Sequence, residues 1–326
     1  MTEWLIGGYT ADAGGSAIGI GRGRSHPDGR FEYLGVVAET DSPSWLHVEG
    51  GTVFAALEIA GELGSFDLTT GVPLSRVAAG GALPCHLAID RGALIAACYG
   101  DGAVSVRGIG VAGGLSPAAQ VIPGSGSGPR QAQQGPHAHS VLSLGDGRVL
   151  SVDLGADLLH VHEWRDDGLV RVDSVAFPPG TGPRDLRQLP DGRLAVLSEW
   201  SCELILLEPA GDAFEIVQIL ALPGATDGVD QCAGLVISDD ARYLYAGIRG
   251  SNRVAAVALD DAVRPVGWVS SGGNTPRHLA VDGQFLQVAN QLSSTVASFR
   301  LGHDGMPEQL GEPVAVPSPT CLVALP

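Results

Sequence analysis

One short pattern recurs seven times along this chain of 326 residues. An apolar strand start, usually led by proline, is followed about fifteen residues later by a second short strand that ends on a polar residue. The starts are Pro43-Ser44-Trp45-Leu46, Pro84-Cys85-His86-Leu87, Pro136-His137-Ala138-His139 and Pro183-Arg184-Asp185-Leu186. Cys232-Ala233-Gly234-Leu235 follows without the proline, then Pro276-Arg277-His278-Leu279 and Pro319-Thr320-Cys321-Leu322. The spacings are 41, 52, 47, 49, 44 and 43 residues. Repeats of this length built from strands, with no sustained helical periodicity, predict an all-β, seven-bladed β-propeller with four strands to a blade. Length alone suggests two domains, but seven blades use residues 1–326 as a single domain.

The last repeat has only its inner strand, Thr320 to Leu325, and nothing after it to pair with. Trp4 to Tyr9 at the other end supplies the missing partner, so the N- and C-terminal strands are expected to share the closing blade and leave no open edge. In the sixth repeat, His278 begins an inner strand and Asp282-Gly283 turns. Phe285 to Asn290 alternates as a second strand, and Thr295 to Phe299 makes a third. The glycine-rich stretch 124–135 is the longest segment without a strand pattern, read either as a flap over a site or as a plain surface loop.

Composition closes off several function classes. A formal charge of −17 opposes nucleic acid and anionic membrane as partners. No stretch is apolar enough to span a bilayer and the start lacks a basic segment, so a cytoplasmic location is expected. The five cysteines have no metal-ligand spacing and read as buried thiols. All 19 basic side chains are arginine, which removes a lysine Schiff base.

Propeller geometry brings the residue after each anchor and the residue ending each second strand to one mouth of the central channel. The first set is Ser44, Cys85, His137, Arg184, Ala233, Arg277 and Thr320; the second is Glu58, Tyr99, Asp153, Glu199, Arg249, Asn290 and Tyr9. Charge gathers in blades three to six. Arginine presents a rigid fork of donors suited to carboxylate or phosphate, so three arginines either bind an anion or pair with nearby acids such as Glu199. Arg277 is the strongest anion candidate, because its blade supplies Asn290 in place of an acid. Of His137 and His139, one is expected to face the channel and the other to wedge between blades. Glu199 beside Trp200 is a candidate base with a raised pKa. His160 and His162 read as a surface ladder without a third zinc ligand.

The segments Gly135-Pro136-His137-Ala138-His139, Gly182-Pro183-Arg184-Asp185-Leu186, Leu197-Ser198-Glu199, Gly247-Ile248-Arg249-Gly250, Thr275-Pro276-Arg277-His278-Leu279 and Ala289-Asn290-Gln291 resemble the lactonase family of seven-bladed propellers. That family includes propeller-type 6-phosphogluconolactonases and carboxymuconate lactonizing enzymes. The resemblance implies a metal-independent enzyme without a cofactor. Its catalytic roles fall on His137 or His139, Glu199, Arg184, Arg249 and Arg277, with Glu58, Tyr99, Asp153, Asn290 and Gln291 around a small anionic lactone. Asp185 departs from the family pattern, where many members have histidine, and an acid there is expected to neutralise part of the Arg184 charge. Hydrolysis of a sugar lactone is the first expectation, carboxymuconate cycloisomerisation the second, and a binding platform without chemistry the third.

Overall fold

Each repeat becomes one antiparallel sheet. The computed structural model describes residues 1–117, 119–260 and 262–325. Six blades follow the chain, with inner strands Pro43–Glu49, Pro84–Asp90, Ala138–Ser143, Pro183–Gln188, Gln231–Ile237 and Pro276–Asp282. The sixth carries a fifth strand, because Pro307–Gln309 and Val314–Ala315 both pair with Thr295–Leu301. The seventh is made from both ends of the chain. Its inner strand, Pro319–Ala324, pairs with Thr2–Gly8, which leads outward to Gly19–Ser25 and Phe31–Glu39. The ring closes as the sequence predicts. Helix among the described residues is limited to the short turns Ala11–Ala13 and Val111–Gly113, and no helix is long and apolar enough to cross a membrane.

The interior is divided into seven apolar slabs, one between each pair of neighbouring blades. This follows from strand alternation, since both faces of every blade are covered by a neighbour. Leu197, Leu204 and Ile248 fill the gap between blades four and five, for example, whereas Trp4, Ala289 and Val296 fill the gap between six and seven. All five cysteines are buried and unpaired.

A β-bulge at the head of each inner strand produces the functional geometry. The register slips between Pro43 and Trp45, Pro84 and His86, Ala138 and Ser140, Pro183 and Asp185, and Pro276 and His278. Ser44, Cys85, His139, Arg184 and Arg277 are therefore left without cross-strand partners, as is Thr320 in the closing blade. A bulge re-aims its side chain, and these six turn towards the axis together. The residue just past each second strand returns to the same end. Glu58, Tyr99, Leu154, Glu199, Gln291 and Tyr9 donate their amides to the carbonyls of Ser42, Leu83, His137, Gly182, Thr275 and Ser318.

One expectation is corrected and another narrowed. His160 and His162 are no surface ladder; they are 4% and 0% exposed, on the same strand face as Trp164 between blades two and three, bonded to Ser174 and Ser151. The 124–135 stretch is pinned as well as irregular. Gln133 is fully buried and donates to the Leu154 carbonyl at 3.0 Å and to Asp157 at 2.8 Å, and Arg130 reaches the Gly180 carbonyl at 2.7 Å.

Candidate active site

Two layers of side chains meet at the channel. The upper layer is the ring of bulge residues with the second-strand ends around it. Blade three enters it two residues later than the proline pattern suggests: Ala138 takes the place that proline holds elsewhere, so His139 faces the channel. His137 lies at the rim, stacked on Tyr99 with ring centroids 4.5 Å apart and its Nδ1 2.6 Å from the Tyr99 carbonyl. A carbonyl only accepts, so His137 carries its proton on Nδ1.

The same bookkeeping displaces two other expected residues. Asp153 and Asn290 are the last paired residues of their strands, opposite Ala138 and Pro276. One step along a strand reverses the side chain, so both point into the blades and not at the mouth. Asp153 Oδ1 accepts from the amides of His137, Gly155 and Ala156 at 2.7, 3.0 and 2.9 Å, and Asn290 donates to the Ser271 carbonyl at 2.9 Å. Neither is placed to touch a ligand in the channel. Leu154 and Gln291 hold the mouth positions instead.

Glu199 gathers two of the three arginines. Its Oε2 lies 2.8 Å from Arg184 Nε and 3.0 Å from Arg249 Nη2. Arg184 also donates to the Ala233 carbonyl at 2.5 Å, and Arg249 to the carbonyls of Gln231 and Cys232. Burial works against the Glu199 carboxylate, but Arg249 and Arg184 outweigh it and hold the group below the usual carboxylate range. The raised pKa expected from Trp200 is thus reversed, because two cations count for more than one apolar neighbour. Burial, followed by Arg249, brings Arg184 down to about 10, still charged at neutral pH.

Arg277 is held differently. Its Nη2 donates to the Tyr9 hydroxyl at 2.6 Å and its Nη1 to Gln291 Oε1 at 3.5 Å, while the guanidinium lies 4.9 Å from the centre of the Tyr9 ring. Glu58 stands one bond further back, accepting the Tyr9 hydroxyl at 3.0 Å. Both direct side-chain partners of this guanidinium are uncharged, which leaves its charge for an incoming anion. Asp185 acts on Arg184 through space, after the larger effects of burial, Arg249 and Glu199, and its direct bonds go elsewhere. Its Oδ2 accepts the Leu235 amide at 3.0 Å and its Oδ1 pairs with Arg187 at 2.6 Å.

Trp45 forms the floor, its ring 4.0 Å from that of His86 and 5.1 Å from that of His278. Three side chains of this layer accept the amide of the next blade's inner strand: His86 from Val141, Asp185 from Leu235 and His278 from Leu322. Burial keeps both imidazoles neutral, with His278 brought down to about 3. Burial, with Arg184 and Arg277 adding to it, holds His139 well below its ordinary value too. Cys85 faces the channel, but burial raises its thiol and leaves a poor nucleophile. A larger cleft, of about 580 Å³, opens at the other end of the ring around Arg242, Tyr243 and Arg300, remote from these groups.

The chain is similar to several known proteins. The chain is 29% identical over 255 residues to the 6-phosphogluconolactonase of Bacillus subtilis, covering 74% of this chain and 73% of that protein. It is 27% identical over 238 residues to a 6-phosphogluconolactonase of Formosa agariphila, covering 68% and 67%. Among solved structures it is similar to the periplasmic gluconolactonase of Pseudomonas aeruginosa, with 29% identity, a TM-score of 0.92, and coverage of 100% and 99%. That neighbour's compartment lends no support to the expected cytoplasmic location. The family model described as lactonase, 7-bladed β-propeller, matches residues 3–324, and the chain belongs to that family.

Proposed function

We propose that the protein hydrolyses a small sugar lactone carrying an anionic group, with 6-phosphogluconolactone the first substrate to test. The observation that carries this reading is the state of Arg277, a buried-side cation whose direct side-chain partners are Tyr9 and Gln291. A guanidinium so placed suits a phosphate or carboxylate entering from the mouth. Arg184 is fixed by Glu199 and the Ala233 carbonyl and lines the channel cavity, which suits it to the charge that develops on the lactone carbonyl oxygen. Glu199, kept ionised between two arginines, orients them; it is a weaker base than an isolated carboxylate. The relatives named above are lactone hydrolases, and nothing among them speaks for cycloisomerisation.

The test is hydrolysis of freshly made 6-phosphogluconolactone above its spontaneous rate, with and without a chelator. Arg277→Ala removes a charge-assisted hydrogen bond and is expected to raise KM roughly ten- to hundred-fold. Loss of activity with the chelator would refute the expected metal independence, and an unchanged KM would remove Arg277 from the substrate site.

A further inference from the structure

We propose that the channel floor holds one water molecule between Ser44, His86 and His139, and that this water is the nucleophile for the lactone carbonyl. The inference rests on the hydrolase reading for its chemistry, but the site stands on geometry of its own. Ser44 Oγ, His86 Nε2 and His139 Nδ1 are buried and have no hydrogen-bond partner in the protein. All three residues line one cavity of about 20 Å³, together with Cys85, Arg184 and Arg277. Ser44 is 4% exposed and His86 7%, so each is more than nine-tenths buried. A polar cavity needs roughly 10–15 Å³ to take a water, and the water needs two to four partners. The space fits one water and excludes a sugar ring, which must stay above it in the mouth.

The protein fixes the direction of the hydrogen bonds. His86 Nδ1 accepts the Val141 amide at 3.4 Å, so its ring proton is on Nε2 and points into the cavity. The water oxygen accepts that proton, leaving its hydrogens for His139 Nδ1 and Ser44 Oγ. In the reaction one water O–H bond breaks as the proton moves to His139, while the oxygen forms a bond to the lactone carbonyl carbon. The carbonyl π pair moves to the oxygen facing Arg184. Collapse breaks the ring C–O bond, and the His139 proton passes to the leaving alkoxide. Arg184 and Arg277 oppose an imidazolium at His139, and a bound anion on Arg277 offsets that cost. Ser44 and His86 are positioning residues, because they act through the water.

A crystal structure of the full chain at a resolution showing ordered waters is the direct test. One density peak within hydrogen-bond reach of Ser44 Oγ, His86 Nε2 and His139 Nδ1 is expected; a dry cavity, or a peak bonded to none of them, overturns the site. Ser44→Ala removes no hydrogen bond made by that hydroxyl within the protein. It should lower kcat for 6-phosphogluconolactone about ten-fold, with KM and the thermal midpoint unchanged. An unchanged kcat overturns the role of the water. If the wild-type protein hydrolyses no lactone, the functional reading fails and the nucleophile role with it, while the density still decides the site.

Discussion

Glu199 shows how one carboxylate can decide the state of a whole cluster. With Arg184 and Arg249 on one of its oxygens, it holds two of the three arginines in place and leaves Arg277 without an acid as direct partner. The pair is well buried, with side chains 6% and 13% exposed for Arg184 and Glu199. Removing one partner of a buried pair costs about 3–5 kcal/mol, because the other charge is stranded. Glu199→Gln is therefore expected to destabilise the fold by about 3 kcal/mol, read from the urea midpoint. A midpoint equal to that of the wild type would mean that solvent, not Glu199, carries those charges. At this scale the sequence was informative about types and less so about register. Arg184, Arg277, Glu199, Glu58, Tyr99 and Gln291 are legible because their blades keep the proline frame, and Arg249 because its repeat keeps the spacing without the proline. His139, Asp153 and Asn290 show the limit: a shift of one or two positions, invisible in composition, moves a side chain between channel and blade interior. The repeat places Ser44 at the channel, but Ser44 and His86 gain their chemistry only when the floor closes around them.

At the scale of the strand, the bulge is the repeated device. It frees one side chain for the channel in six of the seven blades, and in three places it is matched by a side chain that accepts the neighbouring blade's amide. His86, Asp185 and His278 do this work for blades three, five and seven. The family resemblance has histidine where this chain has Asp185, and His86 and His278 accept the next blade's amide in the equivalent places as Asp185 does here. Both Asp185→His and Asp185→Leu lose the Arg187 pair, but only Asp185→Leu leaves the buried Leu235 amide unpaired, which costs about 1–3 kcal/mol more in chemical denaturation. Equal stability of the two variants would show that the acceptor is dispensable. Proline positions and strand alternation made the blades readable, but the bulge was not, because it depends on the exact register between the two strands of each hairpin, which alternation alone does not fix.

Across the whole molecule, buried histidines couple the ring to pH. Burial brings His160 down to about 4 and His162 and His278 to about 3, so each stays neutral in the fold while an unfolded imidazole near 6.5 takes a proton. Between those values the unfolded state binds more protons, and stability must fall as pH drops below about 6.5. Each histidine contributes at most about 1.4 kcal/mol per pH unit. Glu199 adds its own loss at lower pH, where its depressed carboxylate finally protonates. Thermal midpoints at pH 7, 6 and 5 should decline, and His160→Gln should decline less steeply; identical slopes would exclude His160 as a source.

The closing blade sets a schedule as well as a shape. Thr2–Gly8 is synthesised about three hundred residues before its inner partner Pro319–Ala324. At roughly 5–20 residues per second, the first strand waits on the order of 15–60 s for that partner to be made. Through that interval the nascent chain is a fan with one sheet missing its innermost strand, so the ring, and with it the channel, exists only once Pro319–Ala324 has been made.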